Sequence, residues 1–182
     1  MSELFSIQLQ NRQQQGRDGV WLDLPTTTEQ VQAALRQIGI SSDNLQGLFI
    51  SGYFAEEEKR FAIPYNMVLA SNVDELNFLA SRLETLSTGE RAELNAALQV
   101  PQSELSSIGR ITDFPENVDY YVHLPEVRGP AQLGDYYLNR SGMVDMPEEW
   151  KGGIDTAQFG RYVAQQEQGV FTQYGYLVKS GD

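Results

Sequence analysis

Carboxylates are the chemically active groups that this sequence supplies in quantity. It contains 25 Asp and Glu residues against 13 Lys and Arg, which gives a net charge of -12. Two neighbouring carboxylates are able to act as general acid and general base. A chain with 25 acids brings some of them together whatever its function, so their abundance is only weak support for a catalytic pair.

The residue patterns of other catalytic and metal sites are missing. His123 is the only histidine and stands between two apolar residues, a setting more typical of a structural residue than of a ligand. The absence of cysteine excludes thiolate nucleophiles and cysteine-bearing zinc sites. Phosphate-binding loops and nucleophile elbows have no matching motif, and the run Glu56-Glu57-Glu58 lacks the spacing of a calcium loop. We therefore expect no catalytic residue, no metal and no cofactor.

The net charge narrows the choice of partners. A strongly negative protein repels nucleic acid and anionic membranes and attracts basic proteins. The N-terminus lacks the pattern of a signal peptide, and no run of about 18 apolar residues is present. These features predict a cytoplasmic protein that binds neither nucleic acid nor a membrane directly.

Much of the negative charge lies in residues 113–155. Acidic disordered segments are poor in aromatic residues, whereas this stretch is rich in them, so we expect it to fold. Two interpretations remain open: an ordinary acidic surface over a small core, or a rigid negative surface that meets a basic partner. The carboxylates concerned are Asp113, Glu116, Asp119, Glu126, Asp135, Asp145, Glu148, Glu149 and Asp155, against Arg128, Arg140 and Lys151.

Hydrophobic periodicity predicts the elements that must position these side chains. Alternation predicts strands at 5–9, 20–24 and 46–53, and a helix begins at the capping-box pair Thr27 and Gln30 and ends at Gly39. These elements indicate an α+β domain over residues 1–62. Asn72 and Glu75 begin a leucine-rich helix, a second helix follows up to Pro101, and a third begins at Ser103, which indicates a helical domain over 63–110.

The last third, residues 111–182, is predicted to form a second α+β domain. We expect an extended segment at 111–114 and a helix at 116–121 after Pro115. Pro130 suits the first turn of a helix that runs to Arg140 and is closed by Gly142. Asp155 begins a further helix, and one or two strands lie within 170–179 around Gly175.

These elements, in this order and at this spacing, resemble those of the ArdA family of antirestriction proteins. The resemblance is carried by GVWLDLP, the helix TTTEQVQAALRQIGI, FISGY and DELNFLASRLETLS, and later by LGDYYLNRSGMVDMPEEW, IDTAQFGRY and YGYLV. The tract 134–150 corresponds to the antirestriction motif of that family.

The resemblance implies an elongated chain of three small domains (α+β, helical and α+β) that forms a homodimer. It implies a mimic of B-form DNA that occupies the DNA-binding groove of type I restriction–modification enzymes and so protects incoming mobile DNA. Two chains carry 2 × 25 = 50 carboxylates. At the charge density of duplex DNA, one per ~1.7 Å, these would span about 85 Å. Inhibition by occupancy implies that the protein is not an enzyme.

On this basis we expect a distributed set of acids to stand in for phosphates, although any one of them could instead be an ordinary solvent-facing residue. The set consists of Asp135, Asp145, Glu148, Glu149 and Asp155, with Asp74, Glu75, Glu84, Glu90 and Glu93 from the middle of the chain. For Tyr136, Tyr137, Leu138 and Met143, dimer contact and core packing are both open.

Two rival functions differ in what they predict. An acidic adaptor for another basic DNA-binding protein shares the charge and changes only the partner. An enzyme with a carboxylate pair predicts two acids of raised pKa in a concave pocket, whereas a mimic predicts ionised acids on a convex surface.

Overall fold

The computed structural model describes residues 3–14, 16–101 and 103–180. The chain forms two compact units: an N-terminal unit of Met1–Ser87 with Glu104–Pro115, and a C-terminal unit of Thr88–Ser103 with Glu116–Asp182. Each unit combines helices with a three-stranded antiparallel sheet, so the predicted α+β class is confirmed. The elongated arrangement of three domains at 1–62, 63–110 and 111–182 stays a prediction.

The α-helices of the described residues differ widely in length, and none of them is both long and apolar enough to cross a membrane. Short 3₁₀ turns lie at Glu57–Lys59, Phe114–Glu116 and Val118–Tyr120, and a π-helical turn at Tyr136–Arg140 continues the sixth helix. The helices are α1 (Thr28–Gln37), α2 (Tyr65–Leu69), α3 (Val73–Glu84), α4 (Thr88–Gln99), α5 (Ile108–Thr112), α6 (Pro130–Asp135), α7 (Glu148–Lys151) and α8 (Thr156–Glu167).

The sheet of the N-terminal unit has the order β2-β1-β3, with β1 at Phe5–Asn11, β2 at Val20–Leu24 and β3 at Leu48–Phe54. The three strands predicted from alternation are confirmed, with small differences at their ends. Helix α3 contacts α5 and β2 within the same unit, and its side chains Leu76, Leu79 and Leu83 are fully buried. The leucine spacing of α3 therefore forms the apolar face that its sequence predicted.

A reciprocal pair of hydrogen bonds ties helix α3 to the turn between β2 and α1. The backbone N–H of Thr26 donates to Asn77 Oδ1 at 2.7 Å, and Asn77 Nδ2 donates to the Thr26 carbonyl at 3.0 Å. Because both bonds are partly buried, this pair satisfies polar groups that would otherwise be costly to remove from water. The bonds join residues within the N-terminal unit that are 51 positions apart.

The helix starts predicted at Thr27, Asn72 and Asp155 are confirmed by their capping bonds. Thr27 makes both bonds of a capping box with Gln30. The side chains of Asn72 and Asp155 accept from the backbone N–H three positions ahead, at 2.9 and 3.0 Å. Gly39, with φ of +71°, follows α1 in the left-handed conformation that glycine adopts without steric cost. These signals are local, which is why the sequence reveals them.

The C-terminal unit has a sheet of order β4-β6-β5, with β4 at Tyr121–Leu124, β5 at Val170–Thr172 and β6 at Gly175–Lys179. The two terminal strands around Gly175, which has φ of +121°, are as predicted. One cluster of buried residues in the core of this unit consists of Val127, Leu133, Ala164 and Tyr176.

Three local predictions between residues 103 and 121 are wrong. The third helix of the middle segment begins at Ile108, after the capping residue Ser107, and not at Ser103. Residues 111–114 are not extended, because α5 and a 3₁₀ turn occupy them. Residues 116–121 do not form one continuous helix, because they contain only short 3₁₀ turns and the first residue of β4. Strand β4 begins at Tyr121 because it pairs with β6, whose residues Tyr176–Lys179 lie more than fifty positions later. A short sequence window does not contain that pairing.

Candidate protein-binding surface

The tract 134–150 begins at a close crossing of helices α6 and α8. A Cβ atom on Gly134 would lie 1.9 Å from the carbonyl oxygen of Thr156, at the first residue of α8. No side chain fits that distance, so glycine is required for the two backbones to approach this closely. The π-helical turn and the acidic residues that follow it therefore start directly after this tightly packed contact.

A carboxylate on α8 holds two tyrosines of this unit. The Tyr137 hydroxyl donates to Glu167 Oε1, and the Tyr176 hydroxyl donates to Glu167 Oε2 at 2.8 Å. Burial, followed by the bond to Glu167, raises the pKa of each tyrosine above its ordinary value, so both hydroxyls stay protonated and donate. Glu167 thereby links the π-helical turn to the central strand β6.

The four residues expected at a dimer contact have different surroundings. Tyr136 and Tyr137 pack against the core of the C-terminal unit, and their rings meet edge to face. Leu138 is 3% exposed and therefore contributes to the core of its own chain. Met143 is 74% exposed, so it is the member of this set with most surface left for a second protomer.

Two of the expected phosphate surrogates in the C-terminal unit lie beside cations of the same chain. Asp135 accepts from Asn139 Nδ2 at 2.8 Å and lies 3.6 Å from Arg140 Nη2. Glu148 pairs with Lys151 Nζ at 2.5 Å. Exposed pairs of this kind contribute little to stability, but they reduce the net negative charge that a partner meets there.

Asp145 and Glu149 present unpaired negative charge. Both are exposed, and neither carboxylate has a hydrogen-bond or ion-pair partner within residues 3–14, 16–101 and 103–180. Asp155 is also exposed, but its side chain caps α8. Its charge is therefore stabilised by the positive end of that helix, and it has a structural role in addition to any contact with a partner.

The acids from the middle of the chain divide between the two units. Asp74 and Glu75 are exposed in the first turn of α3, and Glu84 is partly buried at its last residue. Glu90 and Glu93 are partly buried on α4, in the C-terminal unit. Acids in the first turn of a helix also stabilise the helix itself.

Glu93 differs from the other acids in its protonation. Its Oε1 atom is buried without a hydrogen-bond partner. Burial, with smaller contributions from the neighbouring charges of Glu90 and Asp119, raises the pKa of the Glu93 carboxyl to about 7. At neutral pH this group is therefore about half protonated, and it is not a fixed negative charge. In the sequence, the burial of Glu93 is signalled only by the position of this residue beside Leu94 and near the buried alanines of α4.

A comparison with known protein families identifies the family of this chain. The model of the ArdA antirestriction proteins matches residues 15–178, which is most of the chain. The chain belongs to the ArdA family. The resemblance seen in the sequence is thus confirmed, and the family's function is antirestriction, which means action against restriction enzymes. No curated protein sequence matches the chain significantly.

The single histidine of this ArdA family member bonds to the backbone. His123 Nε2 lies 2.8 Å from the Tyr174 carbonyl oxygen, and a Cβ on Gly175 would approach the same ring. The ring thus connects β4 to the turn between β5 and β6. Among the described residues, no group of three or more His, Asp or Glu side chains is arranged to hold a metal ion.

Proposed function

We propose that this ArdA family member inhibits type I restriction–modification enzymes by occupying their DNA-binding groove as a mimic of duplex DNA. The match to the family model over residues 15–178 is the observation that carries the proposal. Inhibition of this kind protects incoming mobile DNA from restriction. It requires binding alone, so the protein has no catalytic residue and needs no cofactor.

The charges support the proposal in a simple way. Duplex DNA presents about one negative charge per 1.7 Å of axis, and an enzyme groove that binds it releases counterions when phosphates enter. Carboxylates held at fixed positions produce the same release. Four acids meet this need best, because they are exposed and their carboxylates have no partner in the described chain: Asp74, Glu75, Asp145 and Glu149.

The remaining acids of the set contribute less charge or have a second role. Asp135 and Glu148 lie beside Arg140 and Lys151, and Asp155 caps a helix. The partly protonated Glu93 is the weakest of them. The partly buried Glu84 and Glu90 complete the proposed surface.

The proposal includes a homodimer in the cytoplasm, built from an elongated chain of three small domains. Tyr136, Tyr137, Leu138 and Met143 are its proposed contact residues. The exposure of Met143 supports a direct role, whereas the burial of Leu138 supports an indirect one in holding the contact surface in place.

The test is displacement of DNA. Purified protein is titrated into a type I methyltransferase core that is bound to fluorescently labelled cognate duplex. We expect displacement near one dimer per enzyme and weaker displacement as salt is added, because counterion release drives the binding. No displacement at a large excess would contradict the proposal. Displacement of DNA from unrelated basic proteins with equal strength would instead indicate a general acidic adaptor.

Neutralising variants show whether the charge is distributed. Glu149→Gln alone should leave most of the inhibition, whereas Asp74→Asn, Asp145→Asn and Glu149→Gln together should weaken it by much more. The matched control is Asp43→Asn, Glu57→Gln and Glu58→Gln, which removes the same number of exposed charges outside the proposed set. Complete loss of inhibition from Glu149→Gln alone would show that one contact, and not a distributed field, is responsible.

A further inference from the structure

The N-terminal unit has a groove with no part in the family motif. It has a volume of about 400 Å³ and lies between α1, β3 and the start of α3. That volume falls within the range of ~300–1,000 Å³ typical of binding pockets. Its wall is mainly apolar and includes Val31, Leu35, Leu45, Leu48, Phe49 and Ile50.

Two polar side chains of the groove already make hydrogen bonds, and a third, an acid, has a free carboxylate. Ser71 Oγ donates to the Met67 carbonyl at 3.1 Å, and Asn72 Oδ1 accepts from the Glu75 N–H at 2.9 Å. The carboxylate of Asp74 lines the same groove, is exposed, and has no partner in the described part of the chain. An occupant therefore meets an apolar wall with a single free negative charge at its side.

We propose that this groove binds a segment of a partner protein that places an apolar side chain beside a lysine or arginine. The apolar side chain enters among Leu45, Leu48 and Phe49, and the cation pairs with Asp74. Burial of apolar surface supplies the affinity, and the charge selects the orientation. The inference goes beyond DNA mimicry, because a phosphate surrogate needs no apolar wall.

Two other occupants fit the observations less well. A second copy of this chain brings a net charge of -12 toward the free carboxylate of Asp74, which favours a basic partner at this groove, and the proposed dimer contact lies elsewhere, at residues of the C-terminal unit. A small apolar ligand prefers an enclosed cavity, whereas Leu45 is 51% exposed at the edge of this groove. A basic and apolar segment suits both the charge and the open geometry.

The experiment uses the full chain and a rhodamine-labelled peptide that carries two leucines between lysines and arginines. Binding is measured by fluorescence anisotropy. We expect Leu45→Ser to weaken binding roughly tenfold, because a leucine contact is lost, and Asp74→Asn to weaken it by a smaller factor. A peptide with glutamates in place of the basic residues should bind far more weakly.

Matched controls separate the groove from general effects. Phe78→Ser removes an apolar side chain of α3 that is exposed to a similar degree and does not line the groove, and Asp43→Asn removes an exposed acid outside the groove. Neither should change the affinity. Equal binding by wild type, Leu45→Ser and Asp74→Asn, or no binding at all, would overturn the inference. A change of sedimentation on Leu45→Ser without peptide binding would also overturn it, since the groove would then be covered by a second copy.

The groove and the proposed function share Asp74, but they are tested by different measurements and can fail separately. The DNA-displacement titration reports on the restriction enzyme, whereas the peptide titration reports on the groove. Displacement of DNA with no peptide binding would support the DNA mimicry and contradict the proposed binding at the groove. Peptide binding with no displacement of DNA would support the binding at the groove and contradict the DNA mimicry.

Discussion

Gly160 of α8 lies directly against the backbone of Gly134 of α6. A Cβ atom on Gly160 would lie 2.8 Å from the Gly134 nitrogen and 1.8 Å from the carbonyl oxygen of Pro130. Both distances are far below van der Waals contact and involve backbone atoms, so no side-chain movement relieves them. The first residue of the tract 134–150 is thus a packing residue.

Gly160→Ala should therefore destabilise the protein, even though alanine is the better helix former. Overpacking costs about 1–3 kcal/mol and more where the backbone must move, which exceeds the ~1 kcal/mol gain in helix propensity. The free energy of unfolding is measured in urea. The control is Gly89→Ala on α4, where an added Cβ meets no atom within 4 Å and should leave stability unchanged or raised. Equal changes in the free energy of unfolding for the two substitutions would contradict the close crossing of α6 and α8.

Tyr137→Phe should lower the free energy of unfolding by about 1–3 kcal/mol, because Glu167 then loses a charge-assisted hydrogen bond. Tyr162→Phe, on the exposed face of α8, is the matched control and should have no effect. Adding Glu167→Gln to Tyr137→Phe in a double-mutant cycle isolates the pair. A coupling energy near zero would mean that the bond contributes nothing.

Glu93 should make stability depend on pH. Its pKa of about 7 in the folded protein lies above the ordinary 4.5, so the folded state binds the proton more tightly than the unfolded state. That contribution is complete below about pH 4.5 and is lost as the pH rises through about 7. The loss should be roughly 1 kcal/mol after allowance for solvent screening.

The check for Glu93 is a series of urea titrations between about pH 5 and about pH 8. Glu93→Gln should flatten the pH dependence and should be more stable than wild type at the upper end. Glu58→Gln, at an exposed acid in a 3₁₀ turn, should reproduce the wild-type curve. A curve for Glu93→Gln that coincides with wild type would show that this carboxyl does not titrate near neutral pH.

The capping role of Asp155 and the role of its charge can be tested separately with two substitutions. Asp155→Asn keeps an N-cap acceptor for the Gln158 N–H and should preserve stability, whereas Asp155→Ala should cost about 1 kcal/mol. If Asp155 also acts as a phosphate surrogate, both variants should weaken DNA displacement to a similar extent. If Asp155→Asn inhibits as well as wild type and only the less stable Asp155→Ala inhibits poorly, Asp155 acts as the helix cap alone.

Met143→Glu should shift the protein toward monomers in sedimentation velocity without a change in unfolding, because the side chain is 74% exposed. Leu138→Glu is a poorer probe, since it places a charge in the core of the chain and should unfold it. Trp150→Glu, at a side chain that is 66% exposed, tests a neighbouring surface. An unchanged sedimentation profile for Met143→Glu would remove it from the dimer contact.

The sequence by itself determined the features that depend on near neighbours. The capping side chains of Thr27, Asn72 and Asp155 bond to backbone groups three positions away, and the leucine spacing of α3 defines one face of a helix, so both are legible in a short window. The composition gave the acidic character, and the order of the segments gave the family.

Only the tertiary structure decided which acids are free. Whether Asp135 meets Arg140, whether Asp74 stays unpaired beside an apolar groove, and whether Glu93 is buried beside Asp119 all depend on side chains brought together by folding. Strand β4 was missed for the same reason, because its partner β6 is remote in sequence. Charge, burial and pairing energies act through space, and the distances that set them are not contained in the spacing of residues along the chain.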